Sequence, residues 1–189
     1  MRLRPVRMED SAFIVWLRNL EHVKGRVGDS ALDAATQERW LKVYFERQGD
    51  YYFIIETLGG TPVGAYGIYD VADASAESGR WIIRPEVPAA IPSAIQAFDL
   101  AFGRLGLREL RVKTVSTHRT VLSLNRKFGF RQTRVETAAQ MIAGQPVDLV
   151  NFLLEGKDWP GVREGLLPLA RLAEKQVQEW EQSHLEKPN

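Results

Sequence analysis

Apolar residues near the N-terminus recur at helical spacing. They give way to unbroken aromatic and β-branched runs, then return to helical spacing. "LRPV" (3–6) predicts a short strand. "EDSAFIVWLRNL" predicts a helix with Phe13, Ile14, Leu17 and Leu20 on its inner face, started by Asp10 or Ser11 as cap. "VKGRVGDSALDA" has no period and reads as a loop. "TQERWLKVYFERQ" then predicts a second helix, with Thr36 as N-cap and Trp40, Val43 and Tyr44 on one face. "YYFIIET", the hairpin signal "LGGT" and "PVGAYGIYDV" predict two antiparallel strands. A polar bend, "ADASAES", leads to a third strand, "GRWIIRP".

After Pro85 the period changes. Ile91, Ala94, Ile95, Phe98, Ala101, Phe102 and Leu105 mark a helix stopped at Gly106. "ELRVKTV" is a strand, "THRTVLSLNRKF" a helix, and "GFRQTRVE" and "PVDLVNFLLE" are strands. The order β-α-α-β-β-β-α-β-α-β-β predicts an α+β fold: a mixed, mostly antiparallel central sheet with flanking helices. Its switch from hairpins to a crossover is where ligands favour binding. The expected division is a domain over 1–156 and a helical extension over 157–189. The extension is expected to break at Pro168 and to carry an apolar stripe of Leu166, Leu169, Leu172 or Ala173, Val177 and Trp180.

Composition narrows the function classes. The 189 residues include 25 Lys+Arg against 24 Asp+Glu, a net charge of +1, which leaves no overall basic footprint for nucleic acid. The absence of cysteine excludes disulfides, thiolate metal sites and a cysteine nucleophile. No zinc-protease, Walker, EF-hand or GxSxG pattern is present, so no metal is expected. "MRLRPVRMED" lacks a signal-peptide apolar core and no run is long enough to span a membrane, so the expectation is a cytoplasmic protein without a membrane partner.

Three features together resemble the GNAT acyltransferase superfamily: the element order, "GRWIIRP" running into a long helix, and "HRTVLSLNRKFGF" with its Gly-Phe stop. The resemblance spans 1–156. It implies direct transfer of an acyl group, acetyl first, from acyl-CoA to a primary amine, with acyl-CoA gripped by a splayed strand pair.

A thin, amide-bearing pantetheine arm suits backbone pairing in the manner of an added strand, here with Trp81, Ile82 and Ile83. The pyrophosphate suits a helix N-terminus, here "EVPAAIPSA", with N–H groups of Ala89, Ala90, Ile91 and Ser93 and the charge of Arg84. The family usually places glycines there; this chain has prolines and alanines. Asn125 and Phe128, on and after the last helix of the domain, are implied beside the cofactor arm.

For the base, the resemblance points to Glu77, with Asp70 and Asp73 as neighbouring alternatives. His118 is a second candidate, since imidazole titrates near neutrality. Asn125 occupies the place of the family's thiolate-protonating Tyr and is limited to hydrogen bonding the sulfur or orienting water.

"WLRN" resembles the branch of ribosomal-protein and amino-sugar acetyltransferases. It implies Arg18 and Asn19 as acceptor contacts, alongside the aromatic surface of Trp40, Tyr66 and Trp81. The expected acceptor is a nucleotide-linked amino sugar. A peptide N-terminus and a catalytically silent binding or assembly domain stay open beside it, as does a homodimer through the C-terminal helix.

Overall fold

The computed structural model describes residues 1–23, 31–142 and 144–185. Seven strands form one sheet: β1 (Arg2–Pro5), β2 (Tyr51–Glu56), β3 (Pro62–Ala72), β4 (Ser75–Ile83), β5 (Glu109–Val115), β6 (Arg131–Ile142) and β7 (Gln145–Glu155). Five α-helices flank it: α1 (Ser11–Arg18), α2 (Ala34–Phe45), α3 (Ala90–Phe98), α4 (Arg119–Lys127) and α5 (Trp159–Leu185). The predicted order is the observed one. In space the strands run β1-β2-β3-β4-β5-β7-β6. Every neighbouring pair is antiparallel except β4–β5, which is parallel.

The alternation of a two-sided sheet builds two cores. In β2, Tyr52 and Ile54 face one side, where they meet Ile14 and Leu17 of α1 and Leu41 and Tyr44 of α2. Phe53 and Ile55 face the other, in a core with Phe98 of α3, Phe128, and Trp159, Leu166, Ala170 and Val177 of α5. The helices therefore lock both faces of the strands that lead into the β4–β5 crossover.

The local differences from the sequence reading have physical reasons. β4 begins at Ser75, not Gly79. Asp73 and Ala74 hold φ of 51° and 63°, so these two residues alone turn the hairpin in the primed conformation that matches strand twist. Helix α2 is capped by Asp33, whose carboxylate accepts the Thr36 N–H at 2.7 Å; Thr36 sits inside the first turn. Asp10 turns away from α1, accepting Arg4 at 2.8 and 2.9 Å and the Arg7 N–H at 2.7 Å.

The helix expected to run to Leu105 leaves α-geometry at Asp99 and continues as a π-segment to Arg104. α5 is one continuous helix with Pro168 inside it. Its buried stripe is Leu166, Ala170, Ala173 and Val177, while Leu169 and Leu172 face solvent. Most of the loop expected over 23–34 falls outside the described residues.

Candidate functional site

The parallel pairing of β4 and β5 is short. It covers only Ser75↔Glu109, Ala76↔Leu110 and Glu77↔Arg111. Beyond Glu77, β4 stays paired with β3 and β5 with β7, and the two strands part. A bulge sharpens the separation. Gly67 pairs with Gly79 and Ala65 with Ile82, so Arg80 and Trp81 together oppose the single residue Tyr66. The result is a cleft of about 560 Å³ whose walls include Glu77, Arg80, Ile83, Lys113, His118 and Asn125.

Backbone alternation shows which β4 groups face the gap. The Arg84 N–H donates to the Val63 carbonyl at 2.8 Å, so Arg84, and with it Ile82, points to β3. Ile83 therefore turns its N–H and C=O toward the parted side. This divides the three residues proposed from sequence, Trp81, Ile82 and Ile83: Ile83 offers its backbone to the gap, while Ile82 is committed to the ladder.

Glu77 lies at the apex, where the strands part. Its carboxylate accepts the Tyr69 hydroxyl at 3.1 Å and lies 3.4 Å from the Lys113 ammonium. Tyr69 is directly opposite Glu77 across the β3–β4 ladder, and Gly79 leaves room for its ring, since a β-carbon there would collide with the hydroxyl. Burial, and then the Glu77 charge, push the Tyr69 phenol well above its ordinary range, so it acts as a donor. The two alternatives to Glu77 lie off the cleft wall: Asp70 in an irregular stretch of β3 and Asp73 in the turn.

His118 and Asn125 come from the opposite wall. His118 is the N-cap residue of α4, and its carbonyl accepts the Leu122 N–H at 3.1 Å. Asn125 is buried, with one amide N–H donated to the Thr114 hydroxyl at 2.9 Å. Glu77, His118 and Asn125 thus all line one cleft.

Other expected contacts resolve differently. Arg84 is drawn away from the cleft. It bonds Glu86 at 2.6 Å, and its guanidinium lies 5.0 Å and 5.2 Å from the Trp16 and Trp180 ring centres. In the phosphate-loop segment, the Ala89 N–H already donates to Val87 and the Ser93 N–H to Ala89. Among the described residues this leaves Ala90 and Ile91, in the first turn of α3, as the available donors, and Ala90 lines the cleft.

Phe128 and Tyr66 are core residues rather than contact surfaces. Phe128 is fully buried between Trp81 and Phe98. Tyr66 is fully buried, which pushes its phenol far upward, and shares a 2.6 Å hydrogen bond with Ser78. Asn19 is structural too, donating to the Val15 and Ala31 carbonyls at 2.8 and 2.9 Å. Trp81 does line the cleft, and its indole N–H is buried with no acceptor among the described residues.

Arg18 reaches both this cleft and a second cavity of about 550 Å³, which Trp40 also lines. Sequence reasoning missed Arg80, Arg47, Gln37 and Lys113; of these Lys113 alone left a trace, standing with Arg111 on the polar phase of an alternating strand.

Among the described residues no cluster of His, Cys, Asp or Glu fit to hold a metal ion is found, and no helix is long and apolar enough to cross a membrane. A model of the acetyltransferase (GNAT) domain matches residues 1–131. No curated protein matches in sequence.

Among solved structures, the Vibrio cholerae spermidine N-acetyltransferase in complex with CoA and spermine superposes with a TM-score of 0.77 at 18% identity, covering 84% of this chain and 96% of that one. Apo FdhC, a nucleotide-linked sugar GNAT, superposes with a TM-score of 0.70 at 23% identity, covering 84% and 88%. At these identities the likeness establishes the shared fold.

Proposed function

The chain belongs to the GNAT acetyltransferase family, and from that premise we propose that it transfers an acetyl group from acetyl-CoA to the primary amine of a small molecule. The observation that carries this reading is the parting of β4 from β5 at Glu77. It puts a carboxylate at the apex of a cleft whose β4 wall has the unpaired backbone of Ile83. The pantetheine arm would pair with that backbone like an added strand, and the pyrophosphate would meet the Ala90 and Ile91 N–H groups at the start of α3.

The reaction needs no covalent enzyme intermediate. The amine gives its proton to Glu77, directly or through one water, and its lone pair attacks the thioester carbon. The C–N bond forms, the oxyanion is met by the Ile83 N–H, and the C–S bond breaks as the oxyanion collapses. The new amide nitrogen sheds its second proton as the intermediate collapses, and water held by Asn125 passes that proton to the leaving thiolate, because Asn has no titratable proton to give. His118, across the cleft, is the second proton carrier in this reading. A nucleotide-linked amino sugar is the acceptor we favour, with a peptide N-terminus as the alternative.

Titration calorimetry with acetyl-CoA, followed by thiol-release assays on an amine panel, tests the proposal. One site per chain with micromolar affinity is expected. Glu77→Gln should then lower kcat about a hundredfold or more while leaving CoA affinity in place. Absence of acetyl-CoA binding would overturn the enzymatic reading and leave a silent binding domain.

A further inference from the structure

The second cavity adjoins the cleft, and Arg18 and Arg80 line both. Its other described walls are Gln37, Trp40, Arg47 and Tyr52, with Ala31 and Thr36. Three guanidinium groups and no carboxylate line it among the described residues. Asp50, which is not among the lining residues, is shared by two of these cations. Arg80 bonds it through both terminal nitrogens, at 2.5 and 2.9 Å, and Arg47 approaches it to 3.4 Å. Two cations therefore divide one anion.

Aromatic rings fix where these cations stand. The Arg47 and Arg80 guanidinium carbons each lie 5.2 Å from the centre of the Trp40 ring. Arg80 is also 5.5 Å from Tyr52 and 4.4 Å from Tyr69. Trp40 in turn stacks on Tyr44 at 5.5 Å, so the indole is a rigid support. The Tyr52 phenol is pushed up to about 12 by burial and contributes no negative charge. The cleft itself repeats the pattern: among its described lining residues Glu77 is the one carboxylate, against Arg18, Arg80 and Lys113.

We infer that this cavity is a subsite for an anionic group of the acceptor, so that the substrate is an amine joined to a phosphate or carboxylate and not a polyamine. This deepens the acetyltransferase reading and rests on it. A polyamine would bring several positive charges against the Arg47 and Arg80 guanidinium groups, which share one carboxylate, and this is repulsive at these separations. An anion gains the forked, charge-assisted hydrogen bonds for which guanidinium is built. The volume, about 550 Å³, holds a group of nucleotide size as readily as a single carboxylate. An acceptor held with its anion there would reach past Arg80 to place its amine at Glu77.

The test is calorimetry on protein first saturated with CoA, so that the cofactor's own phosphate site is filled. Inorganic pyrophosphate, glutarate and spermidine are the three probes. Binding of pyrophosphate or glutarate is expected, and which of the two binds tells a phosphate acceptor from a carboxylate one. Arg47→Gln should weaken that binding about ten- to a hundredfold without changing CoA affinity. Gln37→Glu, which sets a carboxylate in the same cavity, should abolish it and serves if Arg47→Gln folds poorly.

Anion binding indifferent to both variants, no anion binding, or tighter binding of spermidine would each overturn the inference. Failure of CoA to bind would show separately in the first titration and would count against the enzymatic reading. The Arg47-dependent component would then be read on the free protein.

Discussion

Arg80 is the residue at which structure and proposed chemistry press hardest on one another. Its φ of 51° lies in the left-handed region, which costs a non-glycine residue roughly 1–3 kcal/mol. The Asp50 ion pair and the surrounding rings hold it there. Backbone and side-chain contributions separate in two variants. Arg80→Ala and Arg80→Gly both lose the ion pair, but only glycine relieves the backbone. The glycine variant is therefore expected to be more stable than the alanine variant by about 1 kcal/mol in urea melts. Equal stabilities would show that the bulge relaxes once the guanidinium is gone.

This residue also marks what the sequence could carry. Glu77 was reached through the family resemblance, which places a carboxylate at the start of the strand "ESGRWIIR". The bulge that turns Arg80 into two cavities arises from the register of β3 against β4, which no local pattern encodes. The same applies to Ile82 and Ile83, neighbours in an apolar run that the ladder sends to opposite sides.

At the scale of elements, order and type were legible almost throughout, because the periods of helix and strand are local properties. Ends and faces were less so. Thr36 and Asp33 are both good caps, and the choice falls to the one whose carboxylate reaches the N3 amide. In α5, leucines at 169 and 172 look like a buried stripe. The packing surface instead takes Ala170 in place of Leu169, and of the two residues offered at the next turn, Leu172 or Ala173, it takes Ala173.

Pro168 was expected to break the helix, yet α5 has buried anchors on both sides of it, Leu166 before and Ala170 after. Tertiary packing thus overrides a penalty of about 3 kcal/mol for proline in a helix interior. Pro168→Ala is expected to raise stability by about 1–3 kcal/mol, measured by urea unfolding. No gain would mean that the helix already bends to accommodate the ring.

For the whole molecule, the question is whether 157–189 is an appendage or part of the unit that folds. The α5 side chains Trp159, Leu166, Ala170 and Val177 belong to the same buried cluster as Phe98, Phe128 and Phe152. Trp159 meets Phe98 edge-on at 5.2 Å and donates its indole N–H to Asp99 at 2.8 Å, in the π-segment. At the far end Glu181 accepts the hydroxyls of Thr57 and Thr61 in the β2–β3 turn.

Burial of one large apolar side chain contributes about 1.5–3 kcal/mol, and a domain's net stability is only about 5–15 kcal/mol. Removing Trp159, Leu166 and Val177 together thus withdraws an amount comparable to the whole margin. It also uncovers the core beneath α3, whose first turn supplies the Ala90 and Ile91 donors proposed for the pyrophosphate. A chain ending at residue 156 is accordingly expected to lose its near-UV circular dichroism, bind a hydrophobic dye and fail to bind acetyl-CoA. A truncated chain that melts cooperatively and binds acetyl-CoA as the full one does would instead make the helix an independent extension.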